Sequence, residues 1–322
     1  EERVSHGMYV VPTPSAEALR KHIVQLNVSV VRAYSGYWPA TFAVNGRVHG
    51  VPVVVSVHDA DPELLHADAL QHADEIWPVS HAVADRLATH ANIPKEQMRM
   101  FSNRVDLDVF HTQPGLKPNG SAEKRRAAEY AIARVSALAK QYPGKHRVLF
   151  VGRRNRQNNW DTVIRSLADL GPQYTGIFVG RGPKAPMVAL AAKLGISRRV
   201  HLVESVPNEE LKYFYWMADV FCVPSRWEGF GIAFIEAMAS GGAVVVTSDI
   251  APMNEFFEHG ENGMLVGAFE NSMALAHAVK RAATDVKLRK KIRKNARRRA
   301  AQRFGKGHVD RWEVGLYRGV LD

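Results

Sequence analysis

Cysteine is nearly absent: the 322 residues contain one, Cys222. A lone thiol excludes an internal disulfide and a cysteine-based metal cluster. It sits within an apolar run, which reads as a buried structural thiol rather than a nucleophile. Long apolar runs are missing as well, and none approaches the ~20 residues that span a bilayer. The first residues are charged and no apolar core follows them, so no signal peptide is expected and the cytoplasm is favoured. Acidic residues are outnumbered, 32 against 43 Lys and Arg, leaving a formal net charge of +11. Nucleic acid, anionic lipid and anionic substrates all suit such a charge. With 46% apolar and 23% charged residues, the composition is that of a globular protein long enough for two α/β domains.

What the sequence does contain is concentrated in residues 219–249. Residues 220–223 form a short apolar run, a buried strand. A turn follows to Gly231, then a short helix over 232–240 that Gly241 and Gly242 stop, then a second buried strand over 243–247. Strand, loop, helix and strand in that order make a parallel crossover. The loop carries Glu228-Gly229-Phe230-Gly231, and the helix begins at Ile232. Glycines let a backbone approach a ligand closely, and the free N–H groups of a helix start suit a phosphate. Glu236 lies eight residues after Glu228, so helical rise holds the two carboxylates within roughly 12 Å. That is about the span from a nucleotide ribose, across a diphosphate, to an attached sugar. A helix start with an incidental acidic pair is the plain alternative.

This stretch resembles the donor site of family 4 glycosyltransferases, retaining enzymes of the GT-B fold, whose signature is the Glu-x7-Glu pair with Glu-Gly-Phe-Gly. The resemblance implies that Glu228 positions the transferred sugar, that Glu236 holds ribose hydroxyls, and that Gly229, Phe230, Gly231 and Ile232 line the diphosphate. Upstream, 147–151 reads as a strand followed by Gly152-Arg153, matching the family's Val-Gly-Arg, whose Arg binds the diphosphate. Asn158-Asn159 stands where the family has Lys-Gly, and Asn donates a hydrogen bond without charge. Arg154 and Arg156 are candidates for the missing cation. Gly180-Arg181-Gly182-Pro183 resembles the family's turn beside the base, with Arg181 as a stacking or phosphate contact.

The front part matches less well. Residues 16–26 read as a helix, 27–33 as a strand and 34–38 as its loop. The strand 51–57 ends at His58, a position that in the family lies near the transferred sugar. Residues 75–79 are the next strand, Ser80 caps a helix over 81–90, and 99–101 is a further strand. Asn103-Arg104-Val105-Asp106 resembles the family's Asn-Gly-Val-Asp, with Arg104 in place of Gly. One or two opening βα units of the family pattern are expected to be absent. Residues 112–120 read as a linker, and Ser121 caps a long helix to about 140. Residues 287–303 are dominated by Lys and Arg and predict a helix positive almost all round. A solvated helix and a surface for anionic lipid head groups both fit it. Nucleic acid comes third, because no aromatic platform or recognition motif lies beside the run.

The expected architecture is therefore GT-B: two Rossmann-like domains facing across a cleft. The expected boundaries are 1–113 with 305–322 crossing back, 114–145 as linker and helix, and 146–304 as the nucleotide-sugar domain. The resemblance implies metal-independent transfer of a hexose from a nucleotide diphosphate sugar to an unspecified acceptor hydroxyl, with no further cofactor. A degenerate, non-catalytic nucleotide-sugar-binding subunit is the alternative, motivated by the missing front unit, Asn158 and Arg104.

Overall fold

The computed structural model describes residues 3–5, 8–59, 61, 63–115 and 121–322. The chain forms two compact units, Glu1–Ser102 with Asp310–Asp322, and Asn103–Val309. The first unit opens with an antiparallel pair, β1 (Arg3–Ser5) and β2 (Met8–Val10). Then come α1 (Ala16–Gln25), β3 (Val31–Tyr34), α2 (Trp38–Asn45), β4 (Val53–Val57), α3 (Ala67–Gln71), β5 (Glu75–Pro78) and α4 (His81–His90). Ser15 and Ser80 cap α1 and α4 by accepting from Ala18 N and Val83 N. β3, β4 and β5 pair in parallel in that order, and β4 is buried on both faces, as four valines among its five residues demand.

Three expectations change here. The strand expected at 27–33 starts only at Val31, because Asn27 turns the chain in a left-handed conformation (φ +50°). The loop expected at 34–38 narrows to 35–37, because β3 takes Tyr34 and α2, which Pro39 helps to start, takes Trp38. The strand expected at 99–101 is an edge segment with a single bridge, Ile76 to Met98. Its Arg99 and Phe101 N–H groups nonetheless donate to β5 carbonyls at 2.8 and 2.9 Å.

The second unit holds α5 (Ala122–Gln141), β6 (His146–Val151), α6 (Trp160–Leu170), β7 (Tyr174–Val179), α7 (Ala185–Lys193), β8 (Val200–Val203), α8 (Asn208–Met217), β9 (Val220–Val223), α9 (Ile232–Ser240), β10 (Val244–Ser248), α10 (Met253–Phe256), β11 (Met264–Val266), α11 (Ser272–Thr284) and α12 (Val286–Phe304). α13 (Lys306–Leu321) follows, and most of its residues belong to the first unit. The six strands are all parallel in the order β11-β10-β9-β6-β7-β8. This is the doubly wound Rossmann order, which reverses direction between β6 and β9.

The units divide at Ser102/Asn103, ahead of the expected 113/114. Residues 103–111 are tied into the second unit. Val105 N–H donates to Phe304 O at 2.8 Å, and the Trp216 indole N–H donates to His111 O at 2.7 Å. The expected linker lies partly, at 116–120, outside the described residues. Arg104 has no left-handed backbone, so replacing the family's Gly strains nothing there.

The helix over 287–303 is not positive all round. Ile292, Ala296, Ala300 and Phe304 recur every fourth residue and are buried on the side of α12 that packs against α9. Arginines flanking that stripe reach inward. Arg297 donates to Ala239 O, Arg299 to Glu255 O and Glu258, Arg303 to Glu255 O, and Arg289 to Asp219. Burial lowers the pKa of the Arg293 guanidinium to about 10. No helix among the described residues is long and apolar enough to cross a membrane.

Arg32 is the least anticipated feature of the first unit. Its side chain is 5% exposed and pairs with Glu313 of α13. It also donates to Tyr317 Oη at 3.0 Å and Ser56 Oγ at 3.2 Å. Its guanidinium lies 4.4, 4.9 and 4.6 Å from the ring centres of Tyr34, Trp77 and Phe101. A planar cation that stacks on rings while its nitrogens reach a carboxylate and two hydroxyls is a role for Arg that Lys cannot fill.

Candidate functional site

Ligands of open parallel sheets gather at the carboxyl ends of the strands, where the strand order reverses. Here the loops after β6 (152–159) and β9 (224–231) leave the sheet on either side of that point. They are laced together. Arg226 N–H donates to Gln157 O at 2.8 Å, Gln157 Nε2 to Trp227 O at 3.2 Å, and Asn159 Nδ2 to Pro224 O at 2.9 Å. The loop after β7 joins them through Arg154 N–H to Arg181 O at 2.8 Å. Gly180, at φ +144°, lies so close to the Gly152 carbonyl that a Cβ would collide with it. Three glycine-containing loops thus form a floor of backbone rather than side chains.

The β9–α9 loop leads from this floor into the start of α9. Ser225 hydroxyl donates to Glu228 Oε1 at 2.9 Å, fixing one face of a half-buried carboxylate. Ser225 is itself anchored, its carbonyl accepting from Ser248 Oγ at 2.6 Å. Gly231 is left-handed (φ +83°), and a Cβ on it would strike the Phe234 ring, so this turn needs glycine. The first hydrogen bond of α9 runs from Phe234 N–H to Gly231 O at 3.1 Å. The N–H groups before it have no partner along the helix, and the positive end of the helix dipole coincides with them. Ile232 stands exposed at this start.

Several expected donor contacts sit differently. The Phe230 ring is in the core, 4.7 Å from the Phe256 centroid and 5.6 Å from Phe304, which leaves only its backbone at the loop. Asn158 is buried and donates to Arg153 O at 2.8 Å, so its amide staples the loop together. Arg154 is 3% exposed and donates to the carbonyls of Gly182 and Val203, which removes it as a substitute for the missing lysine. Arg153 and Arg156 stay exposed. Arg181 is exposed too, with Nε donating to Ser205 Oγ at 3.2 Å. Asn159 takes φ +55°, the left-handed backbone that the glycine of a Lys-Gly pair would adopt. Asn is the residue that best tolerates it after Gly.

His58 belongs to the first unit, directly after β4. It stacks on Tyr34 at 5.9 Å and meets Phe101 edge-on at 6.5 Å.

Glu236 lies in the second turn of α9 and is 6% exposed. Tyr215 hydroxyl donates to its Oε2 at 3.1 Å. Burial raises its pKa to about 7, against the opposing pull of hydrogen bonds from Tyr215 and Asn208. Burial, and then Glu236 itself, hold Tyr215 well above the usual phenol range, so the proton of the pair stays on the tyrosine. A carboxyl whose pKa rises on folding binds its proton more tightly in the folded chain. Its stabilising contribution is complete below about 4.5 and is lost as pH climbs to about 7, on the order of 3 kcal/mol. Glu236→Gln is therefore expected to be more stable than the wild type at pH 8, and to flatten the fall in melting temperature between pH 5 and pH 8.

The sequence did not signal Tyr215, Asn208 or Ser225. Each acts on a carboxylate through a turn or a neighbouring helix, and no spacing along the chain reveals that. The Asn159 backbone could have been foreseen, since Asn commonly replaces Gly where φ is positive. Among the described residues, no group of three or more His, Cys, Asp or Glu could hold a metal ion.

Comparisons with known proteins show the family and the fold. The profile of the glycosyl transferases group 1 family matches residues 137–299, and that of glycosyltransferase family 4 matches 4–109. A D-inositol 3-phosphate glycosyltransferase of Nocardia farcinica is 29% identical over 286 residues, 80% of this chain. The chain spans 60% of that relative's length. An uncharacterised glycosyltransferase of Methanocaldococcus jannaschii is 30% identical over 84% of this chain and 70% of its own. Among solved structures, Anabaena HepE in complex with UDP and glucose superposes with a TM-score of 0.77 at 20% identity. That match covers 96% of this chain and 84% of HepE.

Proposed function

The chain belongs to the group 1 glycosyltransferases, family 4, with the GT-B fold, and from that membership we propose that it transfers a sugar from a nucleotide diphosphate sugar to an acceptor hydroxyl with retention at the anomeric carbon. The observation that carries the proposal is the conjunction of Glu228, left-handed Gly231 and the open start of α9 at the carboxyl end of β9, beside the reversal point. In this reading the backbone N–H groups at Gly231 and Ile232 receive the diphosphate and Arg153 adds a cation. Gly152 and Gly229 let it approach, and Arg181 lies toward the base. Glu228 accepts from hydroxyls of the sugar, and Glu236 accepts from the ribose. The acceptor oxygen bonds to the anomeric carbon on the face from which the diphosphate leaves, and the departing phosphate oxygen takes the acceptor's proton. The helix start and Arg153 meet the developing charge, so turnover should survive chelation of divalent metals.

Thermal-shift screening against UDP-, GDP-, ADP- and TDP-sugars tests the donor site. A matching donor at 100 times its Kd should add about 2.7 kcal/mol of stability. Nuclear magnetic resonance of the product anomer tests retention. No stabilisation by any of the four would overturn the reading. A second reading is favoured by one observation: Asn158 is uncharged and Arg154 is held by carbonyls, so neither supplies the lysine's cation at the β6 loop. Donor-induced stabilisation without turnover on any acceptor would make the protein a nucleotide-sugar-binding subunit instead.

A further inference from the structure

α12 divides its cations by chemistry as well as by position. The arginines at 289, 297, 299 and 303 bind carbonyls and carboxylates of the second unit. Lys291 pairs with Glu261. Four cations are left over on the outer face. Lys287, Lys290 and Lys294 are exposed and make no ion pair or hydrogen bond among the described residues. Exposed Arg298 donates, among the described residues, only to the neutral Asn295 Oδ1, at 3.3 Å. Their spacings of three, four and four residues align them on one side of the helix, opposite the buried stripe of Ile292, Ala296 and Ala300. At 1.5 Å per residue the row is roughly 16 Å long and straight.

This arrangement works against the helix that carries it. Lys290 and Lys294, and Lys294 and Arg298, are like charges one turn apart, which destabilises a helix. Lys287 and Lys290 sit near its start, where the dipole favours anions, and the first turn contains no acid. Asp285 caps that start through its hydrogen bond to Leu288 N–H, but α12 itself has no acidic residue. Helix stability therefore does not account for the row, whereas a flat anionic surface would.

We propose that Lys287, Lys290, Lys294 and Arg298 form a docking face for an anionic lipid bilayer, whose head groups present a plane of separate charges that a straight row of hydrated ammonium groups can meet. No aromatic side chain lies in the row to stack on bases, which argues against single-stranded nucleic acid. Each cation near such a surface strengthens binding about fivefold, so the four together contribute several hundredfold.

The test is co-sedimentation of the full chain with vesicles of phosphatidylcholine alone and with phosphatidylglycerol added, at about 50 mM and about 500 mM salt. The expected result is binding to the anionic vesicles at low salt, loss at high salt and no binding to the neutral ones. K287Q/K290Q/K294Q/R298Q should weaken binding by several hundredfold, and K287E/K290E should weaken it more than K287Q/K290Q. Unchanged melting temperatures would show that all three variants fold. An absence of binding by the wild type, equal binding to neutral vesicles, or undiminished binding by a folded variant would overturn the proposal. So would binding to duplex DNA in place of vesicles.

Discussion

Glu313→Ala is expected to destabilise the first unit by about 3–5 kcal/mol, the penalty for stranding one member of a buried ion pair. Arg32 would be the stranded member. Its side chain is 5% exposed and that of Glu313 is 12% exposed, so water cannot take the carboxylate's place without opening the packing of α13. The hydrogen bonds to Tyr317 and Ser56 and the surrounding rings would remain, but none of them is an anion. Chemical denaturation measures the loss. Hydrogen exchange should show faster opening of 310–321 than of β4. Arg32→Met combined with Glu313→Leu should recover most of the stability, because replacing both partners removes the uncompensated charge that either single change leaves behind. If the double variant is as unstable as the sum of the singles, the pair itself is not what holds the helix.

Glu228→Ala is expected to slow sugar transfer by about 10²–10³-fold while leaving the melting temperature nearly unchanged, the scale seen when one preorganised polar contact to a reacting group is lost. The carboxylate is half-buried on a loop whose shape is held from elsewhere, by Ser248 to Ser225 and by the links to Gln157 and Asn159. Ser225→Ala should have a smaller effect, because that hydroxyl acts only by orienting Glu228 Oε1. Steady-state turnover of the donor that best stabilises the wild type is the measurement. Full activity in Glu228→Ala would remove that residue from the sugar site. The loss of Glu228 should leave nucleotide binding nearly intact, whereas the loss of Glu236 should weaken it.

The placement of these residues shows where reading along the chain stops. The unit β9–α9–β10 was legible almost to the residue, because each part has a local cause: four apolar residues bounded by Asp219 and Pro224, a glycine on either side of the helix, and a valine run after it. The alternation of strands and helices, the serine caps and the family signature are local in the same sense, and they carried the fold class. The place of the Phe230 ring was not legible, because a ring beside two glycines points wherever α10 and α12 leave a hydrophobic space.

The amino-acid sequence by itself determined the β9–α9–β10 unit, its parallel crossover and the loop that carries Glu228, since periodicity, capping and glycine positions act within a few residues. Only the tertiary structure decided which arginines of α12 are held by carbonyls, why Arg154 cannot replace a lysine, and that Arg32 finds its carboxylate 281 residues away. Long polar side chains choose partners by distance in space and by exclusion of water, and both are set by elements remote in the chain.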